Sequence, residues 1–123
     1  MPRRKKGNCY ENAANAVLFG LGGIGALRRP EQLTLVHGRP RYRGTPGYEG
    51  KRFIRKGDRF GHAWVESGGL VFDVTTDTAP FPIPVKRYYE LGDIDPKQCR
   101  RYTQDQTRTM VLRRKHYGPW RAS

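Results

Sequence analysis

The sequence predicts an α+β fold, in which an N-terminal helix packs on a small antiparallel sheet of three to five strands. Two stretches carry this prediction. NCYENAANAVLF, at residues 8–19, has the composition and the start of a helix, and FGHAWVESGGLVFDVT, at residues 60–75, has the pattern of a β-hairpin. At 123 residues the chain is long enough for one hydrophobic core. We therefore expect a basic, flexible arm over residues 1–7 and a single domain over residues 8–123.

Composition and charge restrict the class of partner. The chain holds 24 Lys and Arg against 11 Asp and Glu, and its formal charge of +13 favours an anionic partner such as nucleic acid or an acidic protein. No apolar run reaches the length of a membrane span, and no signal-peptide core follows the basic start. Two cysteines are too few for a disulfide framework. We expect a soluble, cytoplasmic monomer with free thiols and no membrane association.

The first helix is predicted from its capping pattern. Asn8 is a favoured N-cap, Glu11 stands at the capping-box position, and Gly20 is a natural residue to follow the helix end. Cys9 then lies in the first turn, where unpaired N–H groups and the positive end of the helix dipole stabilise a thiolate. Considered alone, Cys9 is more simply a small apolar residue at a helix end.

Three segments separate this helix from the hairpin. GLGGIG, at residues 20–25, has the spacing of a dinucleotide-binding loop but follows a helix, so we interpret it as a connection. LTLVH, at residues 33–37, predicts a strand, with His37 on the surface or on an edge strand. Residues 39–61 are loop-rich and basic, and they suit either nucleic-acid contact or a solvated loop. Their candidate anion-binding residues are Arg39, Arg41, Arg43, Lys51, Arg52, Arg55 and Lys56.

The hairpin brings a histidine and a carboxylate together in two of its three plausible registers. A two-residue turn at Ser67 and Gly68 places His62 directly opposite Asp73, because side chains alternate along each strand. A four-residue loop shifts the pairing by two and keeps both residues on one face. A three-residue loop places them on opposite faces.

The C-terminal third of the chain is less determined. Residues 77–84 contain three prolines and predict an extended segment. Residues 85–91 suit a short helix or an edge strand, and residues 102–115 suit a helix capped by Thr103 or, in part, a strand. Trp120 is expected to pack over the core.

Cys9, His62 and Asp73 together form the nucleophile, general base and orienting carboxylate of a thiol enzyme. The order of these residues and the segments CYENAANAVL, LVHG and GHAWVESGGLVFDVT resemble the papain-like cysteine-enzyme superfamily, in particular its transglutaminase-like and small bacterial or phage members. The resemblance spans roughly residues 8–75. It implies a papain-like core and action on a peptide or protein amide by hydrolysis, deamidation or acyl transfer.

Two departures from the superfamily pattern define further candidates. No Gln precedes Cys9, so the Cys9 backbone N–H and Asn8 are the candidate oxyanion-hole donors. Tyr10 stands where the superfamily often has Trp, and Tyr10 and Trp64 are candidate groove residues. The alternative function is an inactive basic module of the same fold that binds nucleic acid or an acidic protein. The cysteines and histidines lack paired-ligand spacing, so neither a metal nor a cofactor is predicted.

Overall fold

The computed structural model describes residues 8–49, 52–75 and 81–120. These ranges contain the helices α1 (Cys9–Phe19), α2 (Val85–Gly92) and α3 (Gln104–Arg114). The strands are β1 (Thr34–Gly38), β2 (Gly47–Glu49), β3 (Arg52–Ile54), β4 (His62–Ser67), β5 (Leu70–Phe72), β6 (Ile83–Pro84) and β7 (Arg100–Tyr102). The predicted combination of an N-terminal helix and a small antiparallel sheet is confirmed. The predicted basic arm, Lys51 and the first half of the proline-rich segment, residues 77–80, lie outside the described residues.

The main sheet has five antiparallel strands in the order β6-β5-β4-β1-β7. Strand β4 lies at its centre and pairs with β1 on one side and with β5 on the other. A separate two-stranded sheet is formed by β2 and β3, within the basic segment of residues 39–61. The hairpin that begins with His62 is therefore the centre of the main sheet, as predicted.

The β4–β5 hairpin turns at two glycines. Ser67 pairs with Leu70, and Gly68 and Gly69 between them adopt φ values of 59° and 79°, as a tight two-residue turn requires. The pairing is shifted by two residues from the register in which Ser67 belongs to the turn. A shift by two preserves the face of every side chain, so His62 and Asp73 stay on one side of the sheet. The same-face prediction is confirmed by the contact between their side chains.

Helices cover both faces of the main sheet. Leu35 and Val36 are neighbours on β1, so their side chains point to opposite faces, and each belongs to a different core cluster. The first cluster joins α1 to one face and includes Ala13, Val17, Leu35, Val65 and Phe72. The second joins α2 to the other face and includes Val36, Trp64, Val71, Tyr89 and Ile94. The sheet is thus the middle layer of the fold.

Strand β1 is an inner strand, which corrects the sequence prediction for His37. Strand β7 pairs with the outer side of β1 and places Arg100 opposite His37. His37 is consequently only 6% exposed. The prediction of a surface or edge-strand histidine is wrong because the three residues of β7 have no strand pattern of their own and pair only through a distant partner.

The helices α1 and α3 begin where their capping residues predict. The Asn8 side chain accepts a hydrogen bond of 3.4 Å from the Glu11 backbone N–H, and α1 begins at Cys9. Thr103 and Gln106 form a capping box, with bonds of 3.1 and 2.9 Å, so α3 begins at Gln104 rather than at Tyr102. These two helices have 11 residues each, and no helix in the described ranges is long and apolar enough to cross a bilayer.

Candidate active site

The three candidate catalytic residues stand at the ends of three different elements. Cys9 is the first residue of α1, His62 is the first residue of β4, and Asp73 directly follows β5. Because α1 packs against β4, these ends meet at one edge of the domain. The Cys9 side chain lies close enough to the His62 ring to raise the pKa of that ring, and His62 Nε2 lies 2.8 Å from Asp73 Oδ2. The structure therefore brings a thiol, an imidazole and a carboxylate together, with the imidazole between the other two.

His62 holds its proton more firmly than an ordinary imidazole. Burial acts to lower the pKa of His62, but the hydrogen bonds and the negative charges of Asp73 and Cys9 outweigh it and raise the pKa from 6.5 to about 9. The ring is thus positively charged at neutral pH. A charged imidazole can donate its proton to a neighbouring group, which is the role of a general acid.

Asp73 is held as a carboxylate by several donors. Burial acts to raise the pKa of Asp73, but hydrogen bonds from His62, Thr75 and Tyr88 lower it well below its usual range. Thr75 donates to Oδ1 from its backbone N–H at 3.1 Å and from its hydroxyl at 2.5 Å. The Tyr88 hydroxyl donates to Oδ2 at 2.6 Å. Both carboxylate oxygens are therefore occupied, and the charge faces His62 in a defined orientation.

Sequence reasoning missed three residues that build this site. Thr75 contacts Asp73 and also places its hydroxyl 3.3 Å from His62 Nε2. Tyr88 reaches the carboxylate from α2. Asn12 is 1% exposed and donates to the Thr75 carbonyl at 3.2 Å, which ties α1 to the segment after β5. The Asp-x-Thr spacing is a recognisable Asx-turn signal, whereas Tyr88 and Asn12 act on residues far away in the chain.

The candidate oxyanion-hole and groove residues lie in three different environments. The Asn8 amide stands at the exposed start of α1, where it also bonds Glu11, and its oxyanion role stays a prediction. Tyr10 lines a cleft beside the site, together with Gly61. Trp64 is fully buried under α2, and its Nε1 donates to Glu66 Oε2 at 2.9 Å. The prediction of Trp64 as a groove residue is wrong because strand alternation directs its side chain into the second core cluster.

The described members of the predicted anion-binding set are all exposed, while Lys51 lies outside the described residues. Arg41 is engaged with Asp93 at 2.6 Å and donates to the Gly57 carbonyl at 3.0 Å. The Arg41 guanidinium therefore connects the loop at Gly57 to Asp93, the first residue after α2. The other exposed members are Arg39, Arg43, Arg52, Arg55 and Lys56. Anion binding by this set stays a prediction.

Comparisons with protein-family models, with curated proteins and with solved structures found no match to this chain. Within the described ranges, no group of three or more His, Cys, Asp or Glu side chains is placed to hold a metal ion. The chemical character of the site therefore follows from its own geometry. A thiol beside a charged imidazole, with the imidazole fixed by a carboxylate, is an arrangement suited to nucleophilic attack and proton transfer.

Proposed function

We propose that this protein is a thiol enzyme with a papain-like, transglutaminase-like core that acts on amide bonds through a covalent thioester. The observation that carries the proposal is the contact series from Cys9 through His62 to Asp73. A helix that begins at the nucleophile and packs on an antiparallel sheet, with the base and the carboxylate on adjoining strands, supports the choice of core. The sequence resemblance in residues 8–75 supports the same choice.

The first half of the reaction forms the thioester. The Cys9 thiolate attacks the amide carbonyl carbon, an S–C bond forms, and the carbonyl electrons move onto oxygen. Because Asp73 contacts His62 Nε2, we assign the transferred proton to the other ring nitrogen, Nδ1. The C–N bond then breaks as His62 gives this proton to the departing amine.

The second half releases the acyl group. Neutral His62 removes a proton from a water molecule or an acceptor amine, whose oxygen or nitrogen attacks the thioester while the Cys9 thiolate leaves. Water as the acceptor gives hydrolysis or deamidation, and an amine gives acyl transfer. The backbone N–H of Cys9 has no acceptor within the helix, because it lies in the first turn, and it serves with Asn8 as the donor to the oxyanion.

The test is a pH profile of Cys9 alkylation by iodoacetamide, followed by mass spectrometry. In the wild type, Cys9 should react faster than Cys99 throughout the neutral range, because burial raises the pKa of Cys99. We expect His62→Ala to slow Cys9 labelling at pH 6–7 by about tenfold or more, since the neighbouring positive charge is lost. Asp73→Ala should slow it less, because orientation is secondary to charge and proton transfer.

Cys99 in the same sample is the internal control, and circular dichroism checks the fold of each variant. Identical Cys9 profiles for wild type, His62→Ala and Asp73→Ala in folded protein would contradict the enzyme proposal. In that case the basic-module function becomes the better candidate, with the three residues in packing roles.

A second function, nucleic-acid binding, is favoured by an exposed aromatic pair on the β2–β3 hairpin. Tyr48 and Phe53 are 75% and 42% exposed, and their ring centroids lie 5.1 Å apart. The Arg55 guanidinium lies 5.6 Å from the centre of the Phe53 ring. Exposed aromatic faces beside cations are suited to stacking the bases of a single strand.

The corresponding test is the binding of a single-stranded oligonucleotide at several salt concentrations. We expect affinity to fall steeply with salt, by roughly one unit of logarithmic slope per phosphate contact. Tyr48→Ala with Phe53→Ala should weaken binding, whereas Phe19→Ala, which removes another exposed aromatic ring, should not. Binding that is absent or insensitive to salt would exclude this partner.

A further inference from the structure

A cleft of about 380 Å³ opens beside the candidate active site. Its wall includes Tyr10 and Gly61, which directly neighbour Cys9 and His62 in the chain. The two walls approach closely, since a Cβ on Gly61 would lie 2.5 Å from the Tyr10 hydroxyl. The volume is within the range of roughly 300–1,000 Å³ that is typical of small-molecule sites. When a substrate amide lies at Cys9, the chemical groups attached to that amide would extend into this cleft.

The cleft has a positive lining. Arg39 and Arg100 both line it, and none of the described lining residues is Asp or Glu. Burial and the Cys9 charge raise the pKa of Tyr10 to about 12, and the nearby Arg39 charge opposes that rise. Arg100 is held at the cleft by a bond of 3.1 Å to the Trp120 carbonyl. Two arginines therefore contribute positive charge to a space that an anion would fill.

A buried polar side chain without a partner forms part of the lining. His37 is 6% exposed, and neither of its ring nitrogens has a hydrogen-bond partner in the described ranges. The rings of Tyr10, Tyr102 and Trp120 surround it at centroid distances of 4.9, 5.1 and 5.1 Å. Both ring nitrogens are themselves buried, so a ligand in the cleft reaches them when the ring or a neighbouring side chain shifts. An unsatisfied buried polar group costs roughly 1–3 kcal/mol, and a ligand that completes the bonding of His37 would recover that free energy.

The His37 ring complements the two arginines because it is neutral. Burial and the Arg100 charge lower the pKa of His37 to about 4, so the ring has one N–H donor and one acceptor nitrogen at neutral pH. A carboxylate has four lone-pair positions and suits two guanidinium groups and one imidazole N–H. A neutral amide would leave the arginine charges without a counterion.

We propose that this cleft is a substrate subsite for a carboxylate carried by the substrate close to its reacting amide. Arg39 and Arg100 bind the carboxylate, and the His37 ring, after a local shift that exposes its N–H, donates one hydrogen bond to it. The inference rests on the proposed thiol chemistry at Cys9 and narrows its substrate class to acidic amides.

The test compares two alkylating reagents of nearly equal size, anionic iodoacetate and neutral iodoacetamide. The rate ratio at Cys9 is divided by the ratio for N-acetylcysteine, which removes the intrinsic difference between the reagents. We expect a normalised preference for iodoacetate of about tenfold in the wild type, from fixed positive charge beside the thiolate. Arg39→Gln should abolish most of that preference. Arg113→Gln, which removes an exposed arginine from α3, is the matched control and should keep it.

The outcomes separate this inference from the proposed function. A Cys9 that labels with iodoacetamide in a His62-dependent manner but shows no iodoacetate preference would overturn the subsite and leave the enzyme proposal intact. An equal loss in Arg39→Gln and Arg113→Gln would also overturn it, since the preference would then come from the net charge of the whole protein. Labelling that is independent of His62 would overturn the enzyme proposal itself.

Protection experiments identify the anion. N-acetylglutamate should protect wild-type Cys9 from iodoacetamide, and inorganic phosphate at the same concentration should protect it less. His37→Phe keeps a ring of similar size in the aromatic cluster, and it should weaken protection by about tenfold because a hydrogen bond to a charged group is lost. Stronger protection by phosphate than by N-acetylglutamate, or equal protection of wild type and folded His37→Phe, would overturn the assignment.

Discussion

The Tyr88 hydroxyl donates a hydrogen bond of 2.6 Å to Asp73 Oδ2, the same oxygen that lies 2.8 Å from His62 Nε2. The same oxygen, Oδ2, is therefore contacted by Tyr88 of α2 and by His62 of β4. The second oxygen, Oδ1, receives both bonds from Thr75. A carboxylate held at both oxygens cannot rotate freely, and the imidazole that it contacts has a fixed direction as well.

Tyr88→Phe should lower the stability of the protein. The substitution removes one donor from a largely buried carboxylate, and the loss of a hydrogen bond to a charged group should reduce the free energy of unfolding by roughly 1.5–3 kcal/mol. Urea denaturation followed by circular dichroism measures this change. Tyr48→Phe is the control, because Tyr48 is 75% exposed and its change should stay within about 0.5 kcal/mol. Equal losses in the two variants would mean that the Tyr88 bond adds no stability.

Thr75→Val should slow Cys9 alkylation at neutral pH while leaving the fold intact. Valine preserves the shape of threonine but removes the hydroxyl that bonds Asp73 Oδ1 and lies 3.3 Å from His62 Nε2. Thr75 acts through Asp73, so the rate should fall less than in Asp73→Ala. Thr75→Ser restores the hydroxyl and should restore the rate. A serine variant as slow as the valine variant, at equal thermal stability, would rule out this positioning role.

The two buried histidines predict opposite pH dependences of stability. The folded-state pKa of His37 is lowered to about 4, so its contribution is complete above the unfolded value of 6.5 and is lost as the pH falls to 4. The folded-state pKa of His62 is raised to about 9, so its contribution is complete below 6.5 and is lost as the pH rises through 9. The free energy of unfolding should therefore be greatest near pH 6.5.

Two variants test which histidine produces each limb of this pH profile. His37→Gln should flatten the acid limb, which amounts to roughly 3 kcal/mol between pH 7 and pH 4. His62→Ala should flatten the alkaline limb and leave the acid limb in place. Urea midpoints measured from pH 4 to pH 9.5 provide the comparison. An acid limb that is unchanged in His37→Gln would show that His37 does not produce it.

Gly38→Ala should destabilise the core between β1 and the segment before β7. A Cβ at this position would overlap the Trp64 ring and would lie 3.1 Å from Cys99 Sγ. Overpacking of a filled core costs typically about 1–3 kcal/mol, and thermal denaturation should show a lower Tm. Gly47→Ala is the matched control, because its nearest neighbour would be the Thr45 carbonyl oxygen at 4.0 Å. A Tm for Gly38→Ala as high as that of Gly47→Ala would show that the core accommodates the methyl group.

The elements that could be predicted from the sequence are those specified by nearby residues. α1 follows from the spacing of Asn8 and Glu11, and the β4–β5 hairpin follows from two β-rich runs around its glycines. Because side chains alternate along each strand, His62 and Asp73 lie on one face of the sheet in any register that differs by an even number of residues. The register itself is not determined by the sequence, because several turns fit the run from Ser67 to Gly69.

The remainder depends on contacts between distant parts of the chain. β7 has three residues and exists through its pairing with β1, so the burial of His37 could not be inferred from LTLVH alone. Trp64 alternates onto the same face as His62, and α2 covers that face with Tyr89. No nearby residues in the sequence indicate that α2 covers the candidate active site. The contact of Tyr88 with Asp73 could therefore not be predicted. The environments of these residues are determined by packing between distant parts of the chain.

The outer strands of the main sheet have a consequence for association with other chains. β6 has two residues and includes Pro84, which has no backbone N–H to donate, and β7 has three residues, of which Arg100 and Arg101 are charged. Short edges that contain proline or positive charges resist the addition of a further strand, which limits both edge-to-edge aggregation and recognition by β-augmentation. An extended peptide would therefore find little backbone to pair with at either edge, and side-chain contacts would have to supply its affinity.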